Sequence, residues 1–266
     1  VEGFLTPKKS EKNAGVAAKK TSDKIRGNPL VSIILPVFNK EFVIARTCRE
    51  ISLYLESNSY EYEIIAVDDG SSDASVAVMR KALEGKRASI IELGSNHGKG
   101  YAVREACLQA AGDLVVVVDA DHAIDIDHLP AFAKVILEEG YDLAIGSRFI
   151  SGSHFIDPRP YRAILSRSLN FLVRRGLPIN FRDTQCGFKV LGRRAASELM
   201  PQTRIDRFLI DVELLYLAAL NGYRVKEVPV DCVITPRSSI RLVRDPIQMI
   251  FDLLELMRRY RNESKK

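Results

Sequence analysis

The sequence predicts an α/β fold, a mostly parallel sheet with helices on both faces, and three observations carry that expectation. Runs of β-branched and aliphatic residues recur between positions 31 and 146, each the length of a buried strand. Between them lie stretches whose apolar residues keep helical spacing. The segment VVVVDADHAIDIDH, residues 115–128, runs four valines straight into Asp119 and Asp121. Open α/β sheets bind ligands beyond the carboxyl ends of such strands.

The elements follow in order. LVSIILPVF predicts a first strand over 31–38, with Pro36 turning the chain out of the ladder because it has no N–H to donate. Further strands are expected at 62–67, 88–93, 114–118 and 142–146, and helices near 42–56, 74–84, 99–111 and 128–139. This βα alternation calls for crossover connections and hence a parallel sheet. After Arg148 the pattern changes: ISGSHFIDPRPYRAILSR reads as loop and then basic, followed by helices near 161–175 and 207–221 and a short strand at 223–230. The closing PIQMIFDLLELMRRYR sets Ile247, Ile250, Phe251, Leu254 and Met257 at helical spacing, flanked by Arg258, Arg259 and Arg261. Such a stripe suits core packing, contact with a second copy in a homo-oligomer, or a lipid surface. The expected organisation is a disordered basic arm (1–28), one domain (29–245), and an amphipathic helix with a basic tail (246–266).

Charge is uneven. The chain of 266 residues has 39 Lys+Arg against 34 Asp+Glu, a net +5, but residues 1–28 and 258–266 each carry +4 and leave −3 for the body. That body is a poor nucleic-acid surface, while basic ends suit an anionic membrane face. No run of about 18 apolar residues occurs, so nothing in the sequence reads as a membrane span. The chain opens on Val1 rather than Met, which leaves room for an upstream anchor. Cys48, Cys107, Cys186 and Cys232 are scattered without a CxxC pair, as expected of reduced structural cysteines in a cytosolic setting.

Asp119 and Asp121 stand two residues apart and would repel unless a cation lay between them. Hard oxygen ligands suit Mg²⁺ or Mn²⁺ shared with a substrate's phosphates; capping of the helix that starts near Asp125 or Asp127 is the other reading. GSNHGKGY is not a P-loop, because three residues separate Gly94 from Gly98 and no Ser or Thr follows Lys99. The first strand lacks the glycine-rich turn of a dinucleotide site. What remains is a set of strand ends: PVFN, VDDGSSD, VDAD and GSR. Asp68 and Asp69 there offer acceptors to a base N–H or a ribose hydroxyl.

PVFN, VDDGSSD, NHGKGYAVREA, VDAD, GSR, DTQCGFK and FLIDVELLYLAALNGYRVKEVPV together resemble the family 2 glycosyltransferases, which have the nucleotide-diphospho-sugar transferase (GT-A type) fold. Among these the chain is most similar to polyprenyl-phosphate sugar synthases, and RDTQCGFKVL resembles the dolichyl-phosphate β-glucosyltransferases; the likeness runs over roughly residues 30–257. The resemblance implies that 29–245 is a catalytic domain in which Pro36, Phe38, Glu41, Asp68, Asp69 and Ala120 hold the nucleotide sugar. Lys99 and Gly100 would lie near its base and ribose, and Asp119 and Asp121 would be the DxD pair that bridges the diphosphate through Mg²⁺ or Mn²⁺. Arg148 would face the sugar or phosphates, and Asp211 would orient a group in the catalytic centre. Three positions depart from the family pattern: Lys40 stands where a Glu is usual, with Glu41 one place later, Ala123 replaces a Gln, and Ser239 replaces a Lys for which Arg237 or Arg241 would stand in.

The implied reaction is inverting transfer of a hexose, glucose favoured, from a nucleoside-diphosphate sugar (UDP-glucose, or GDP-mannose) to a polyprenyl (dolichyl) phosphate at the cytoplasmic face of a membrane. A phosphate monoester with a second pKa of about 6 is already mostly dianionic at neutral pH, so it needs cations rather than a base. Arg162, Arg167 and Arg182, with Arg237 and Arg241, are the candidates. A hydroxyl acceptor would instead need Asp211 or Glu213 as base. A sugar-nucleotide-binding scaffold without turnover is the reading from another class.

Overall fold

In chain order the elements are β1 (Leu30–Val37), α1 (Ile44–Ser57), β2 (Glu61–Asp68), α2 (Ser75–Ala82), β3 (Ala88–Glu92), α3 (Lys99–Gln109), β4 (Leu114–Val118), α4 (Leu129–Leu137) and β5 (Leu143–Ser147). Then come β6 (His154–Ile156), α5 (Pro160–Gly176), β7 (Phe188–Gly192), α6 (Arg193–Leu199), α7 (Ile210–Leu220), β8 (Val225–Pro229), β9 (Asp231–Val233) and α8 (Arg244–Glu263). This computed structural model describes residues 28–121, 123–157, 160–233 and 244–263. The expected N-terminal arm, apart from Asn28, lies outside the described residues, as do residues 264–266 of the basic tail and Arg237, Ser239 and Arg241.

Seven strands form one sheet in the order β3-β2-β1-β4-β7-β5-β8. All are parallel except β7, which runs antiparallel to both β4 and β5. The sequence reading placed no strand there, because Phe188 and Val190 flank a lysine and the run is only five residues long. It also passed over α6 and the two-stranded sheet in which β6 pairs with β9, Ile156 opposite Val233. Pro36 does not end β1 as expected. The strand runs on to Val37, with Pro36 opposite Val67 of β2; its pairing to β4 ends earlier, at Ile34, so the missing N–H costs no bond on that side.

Alternate residues of the central strands feed two apolar layers, as a sheet covered on both faces requires. On one face Val31, Ile33, Leu35, Val116 and Phe188 pack with Ile44, Ile51, Met79 and Phe132 of α1, α2 and α4. On the other, Ile34, Ile65, Val115 and Val117 pack with Ala102, Ala106, Leu199 and Leu214 of α3, α6 and α7. A third cluster joins β5 to α5, α7 and α8 through Ile145, Val173, Leu177, Tyr216, Leu253 and Leu256. α8 is therefore seated on the domain by Leu253 and Leu256, while Ile247, Ile250, Phe251 and Leu254 are exposed. The stripe expected from the sequence is thus mostly not core; only Met257 of that set turns inward, against Gly176. No helix among the described residues is long and apolar enough to cross a membrane.

Candidate active site

The carboxyl ends of β1, β2 and β4 bring PVFN, DDGSSD and DAD to one edge of the sheet. Two loops there are stitched together by short polar side chains. Asn39, at a positive φ of 52° that asparagine tolerates, accepts the Ser72 N–H on Oδ1, and its own N–H goes to Ser71. The Lys40 N–H goes to Ser75 Oγ (2.7 Å) and the Glu41 N–H to Asp73. The Glu41 carboxylate accepts the Ala74 N–H, so Glu41 braces the loop before α2 rather than standing open to a nucleotide.

Asp68 and Asp69 divide their work. Asp69 spends both oxygens inside the protein, accepting the N–H groups of His97 (2.7 Å) and Gly98 (2.9 Å) and the Asn96 amide (2.8 Å). Burial raises its pKa against those bonds. Asp68 accepts the Ser71 N–H on Oδ2, but its Oδ1 is buried without a partner. Of the two, Asp68 is the one with an acceptor to offer. Pro36 and Phe38 are half-buried beside them. Ala120 is buried, and its carbonyl accepts the Thr47 hydroxyl of α1 at 3.0 Å, which fixes the turn between the two metal-candidate aspartates.

Asp119 and Asp121 end β4. Asp119 lies against Gly187: its N–H bonds the Gly187 carbonyl, and any Cβ at 187 would overlap its carboxylate. Asp121 has its Oδ1 buried and unpartnered, and burial together with the Asp119 charge raises its pKa. Among the described residues no group of three or more His, Cys, Asp or Glu side chains gathers into a metal cage. Two carboxylates, one with an orphaned oxygen, fit a hard cation whose remaining ligands come from substrate phosphates and water.

Lys99, expected near base and ribose, is engaged by two carboxylates. Its ammonium is 2.9 Å from Asp119 Oδ1 and 3.3 Å from Asp211 Oδ2. Lys189 of β7, which the sequence reading missed, pairs with the other oxygen of Asp211 at 2.9 Å and donates to the Cys186 carbonyl. Burial pushes the Asp211 pKa up, but the two ammonium groups outweigh it and hold the carboxyl below its usual range. Glu213 is occupied as well, accepting the N–H groups of Arg204 and Ile205 on one oxygen and Arg259 of α8 on the other. The 203–209 loop so held presses on α3, where side chains at Gly98 or Gly100 would overlap its carbonyls.

Arg148 does not stand open to a sugar. Its Nε and Nη2 fork onto Asp183 at 2.6 and 2.8 Å, and its N–H also bonds that carboxylate. Burial raises the Asp183 pKa, and the guanidinium more than reverses the effect. The Asp183 loop is tied in turn to Glu227 of β8 and Asn170 of α5. Arg148 also lies over Phe149 and Phe155, 5.3 and 5.4 Å from their ring centres, and exposed Arg167 lies 5.3 Å over the same Phe149 ring. Arg182 is exposed, while the side chain of Arg162 lies outside the described residues. Five of the seven residues of DTQCGFK thereby gain a structural role. Asp183 holds Arg148, Thr184 bonds Asn170, Cys186 fills the space left by Gly146, Gly187 admits Asp119 and Lys189 neutralises Asp211. Its length and composition were visible in the sequence; these partners, remote along the chain, were not.

The family profile for Glycosyl transferase family 2 matches residues 32–200. A dolichyl-phosphate β-glucosyltransferase of Drosophila melanogaster is 35% identical over 244 residues, 86% of this chain and 75% of that protein. The Homo sapiens protein of that name is 31% identical over 258 residues, 91% of this chain and 80% of its own. Among solved structures, glucosyl-3-phosphoglycerate synthase from Mycobacterium tuberculosis, in complex with Mn²⁺, UDP and phosphoglyceric acid, superposes with a TM-score of 0.65. It covers 86% of this chain and 78% of that one at 19% identity, a likeness of GT-A fold.

Proposed function

The chain belongs to glycosyl transferase family 2, and from that premise we propose that it moves a hexose, glucose favoured, from a nucleoside diphosphate to a polyprenyl phosphate with inversion. The observation that carries the phosphate acceptor is the commitment of both candidate bases. Asp211 has an ammonium on each oxygen, and Glu213 has backbone N–H groups and Arg259 on its two. A carboxylate held at a low pKa between two lysines is a poor proton acceptor. A dianionic phosphate asks for none. The names of the relatives, dolichyl-phosphate β-glucosyltransferases, point to the same acceptor.

In this reading Asp68 Oδ1 receives an N–H of the base or a ribose hydroxyl. Asp119 and Asp121 would hold Mg²⁺ or Mn²⁺, which supplies positive charge against the leaving diphosphate. Arg148, buried on Asp183, acts as a positioning residue for the 183–187 loop and through it for Asp119. Arg167, aligned on Phe149, is the described guanidinium best disposed to take the acceptor phosphate. The polyprenyl tail stays in lipid, and the exposed Ile247, Ile250, Phe251 and Leu254 of α8 give the protein a face to lay on a membrane from its cytoplasmic side.

Two measurements test this. Radiolabelled UDP-glucose and GDP-mannose are each offered with polyprenyl phosphate or with a sugar hydroxyl acceptor; label should pass to the lipid phase from UDP-glucose with the phosphate acceptor. The second is the pH profile of Asp211→Asn. In the wild type this depressed carboxylate is ionised throughout the range above the ordinary value of about 3.9, and its contribution to stability fades only as pH falls through that value toward its lower folded pKa. Asp211→Asn should therefore lower stability near neutrality and leave the shape of the kcat profile between pH 5 and 9 unchanged. Loss of an acid-side limb in that profile favours the hydroxyl acceptor.

A further inference from the structure

We propose that Lys99 occupies Asp119 in the donor-free protein as a resident cation, and yields it only when a divalent ion and a nucleoside diphosphate arrive together. The inference rests on the metal-dependent donor site just described and adds to it a rule of entry.

Three facts carry it. The Lys99 ammonium, mostly buried, sits 2.9 Å from Asp119 Oδ1, on a carboxylate that Gly187 confines from the other side. Next to Asp119 the charges pair off: Asp119 and Asp211 are met by Lys99 and Lys189, and Lys40 is near enough to Asp121 to act on its charge. A divalent ion alone would add two positive charges beside these ammonium groups in a half-buried site, where Coulomb terms are far larger than in water. The diphosphate brings negative charge to offset them, two charges in a nucleotide sugar and nearly three in free UDP at neutral pH, so each ligand favours the other. The third fact is that Lys99 has somewhere to remain. Asp211 Oδ2 is 3.3 Å from the same ammonium, so leaving Asp119 does not strand a bare charge. Asp211 thus serves as the second station of Lys99, and Lys189 keeps that station ionised.

The test is Mn²⁺ binding to the full chain without acceptor, read by the electron paramagnetic resonance of free Mn²⁺, with and without saturating UDP. In the wild type, UDP should tighten Mn²⁺ binding by about tenfold or more. Lys99→Met should tighten binding in the absence of UDP by about tenfold and lose most of the gain from UDP. Lys40→Met, at a half-buried loop position, should give a smaller tightening of about threefold and serves should Lys99→Met fail to fold, which a thermal melt reports. Unchanged Mn²⁺ affinity in both variants, or wild-type affinity indifferent to UDP, overturns the proposal while leaving the metal site standing. Absence of Mn²⁺ binding in every protein even with UDP overturns both.

Discussion

Around Asp119 the carboxylates of Asp69 and Asp211 have a cation or an N–H within 3.3 Å on each oxygen, while Asp68 Oδ1 and Asp121 Oδ1 are buried at the strand ends without a partner. Around Phe149 the arrangement is the reverse. Two guanidiniums lie on one ring, Arg167 is exposed, and α8 turns four large apolar side chains to solvent. The first region holds most of its charges in internal pairs and keeps two buried oxygens unpartnered; the second is the more exposed. The difference fits their proposed substrates. A nucleotide sugar is small and polar, and it is recognised by fixed acceptors. A polyprenyl phosphate offers one dianion and a long tail that never leaves lipid, so charge and exposed apolar area suffice. Arg148 joins the two regions, since the Asp183 that holds it begins the loop whose Gly187 sets Asp119.

The comparison breaks most readily at Asp121. Asp121→Asn keeps the shape and removes the charge, and hexose transfer should fall by about a hundred- to a thousandfold with an unchanged melting temperature. Wild-type turnover in excess EDTA, or a fully active Asn variant, would show that the orphaned oxygen is not a metal ligand. Gly187→Ala tests the same carboxylate from its far side. The added Cβ overlaps Asp119, so about a hundredfold loss is expected, with Mn²⁺ binding weakened in parallel. Full activity there would mean that Asp119 can move freely, and that the tightness of the donor region is incidental.

How much of each region could be read from the sequence follows from the same contrast. The donor region is made of strand ends, and PVFN, VDDGSSD and VDAD stand where hydrophobic runs stop, so the placement of Asp68, Asp119 and Asp121 at the carboxyl edge of the sheet was legible from pattern. Their division of labour was not. Asp69 and Glu41 carry the same motif chemistry yet serve the loops, because the partners that occupy them, His97, Gly98 and Ala74, come from turns whose approach only the fold sets. β7 escaped because Lys189 interrupts its apolar run, and that lysine exists to neutralise Asp211 on another element. The family resemblance gives Arg148 a place facing the sugar or phosphates and says nothing of Asp183, which arrives from 35 residues away to hold it.

On the acceptor side the effects should be smaller and confined to one substrate. Arg167→Ala removes a single exposed cation, so the apparent KM for polyprenyl phosphate should rise about tenfold while that for the nucleotide sugar holds. A change in the donor's KM instead would erase the boundary drawn between the regions.

The smallest effect is expected at α8, and there the helix supplies its own control. Leu256 is buried in the third cluster and Phe251 is 59% exposed, one and a half turns apart on the same helix. Leu256→Asp should unfold or detach α8, because a bare carboxylate cannot be buried there. Phe251→Asp should leave the melting temperature alone. If the exposed face meets lipid, Phe251→Asp should weaken binding to anionic vesicles about fivefold, less than full burial of a phenylalanine would give, since only part of the ring enters the headgroup layer. Binding should also exceed that to neutral vesicles and fade with salt, because Arg258 is exposed on the same helix and its attraction is screened. Equal binding of wild type and Phe251→Asp to both vesicle types, together with a wild-type monomer that the substitution leaves unchanged, would remove α8 from the membrane contact. A dimer that Phe251→Asp dissolves would give the apolar face to a second copy of the chain, and the openness of the acceptor region would then describe the isolated subunit alone.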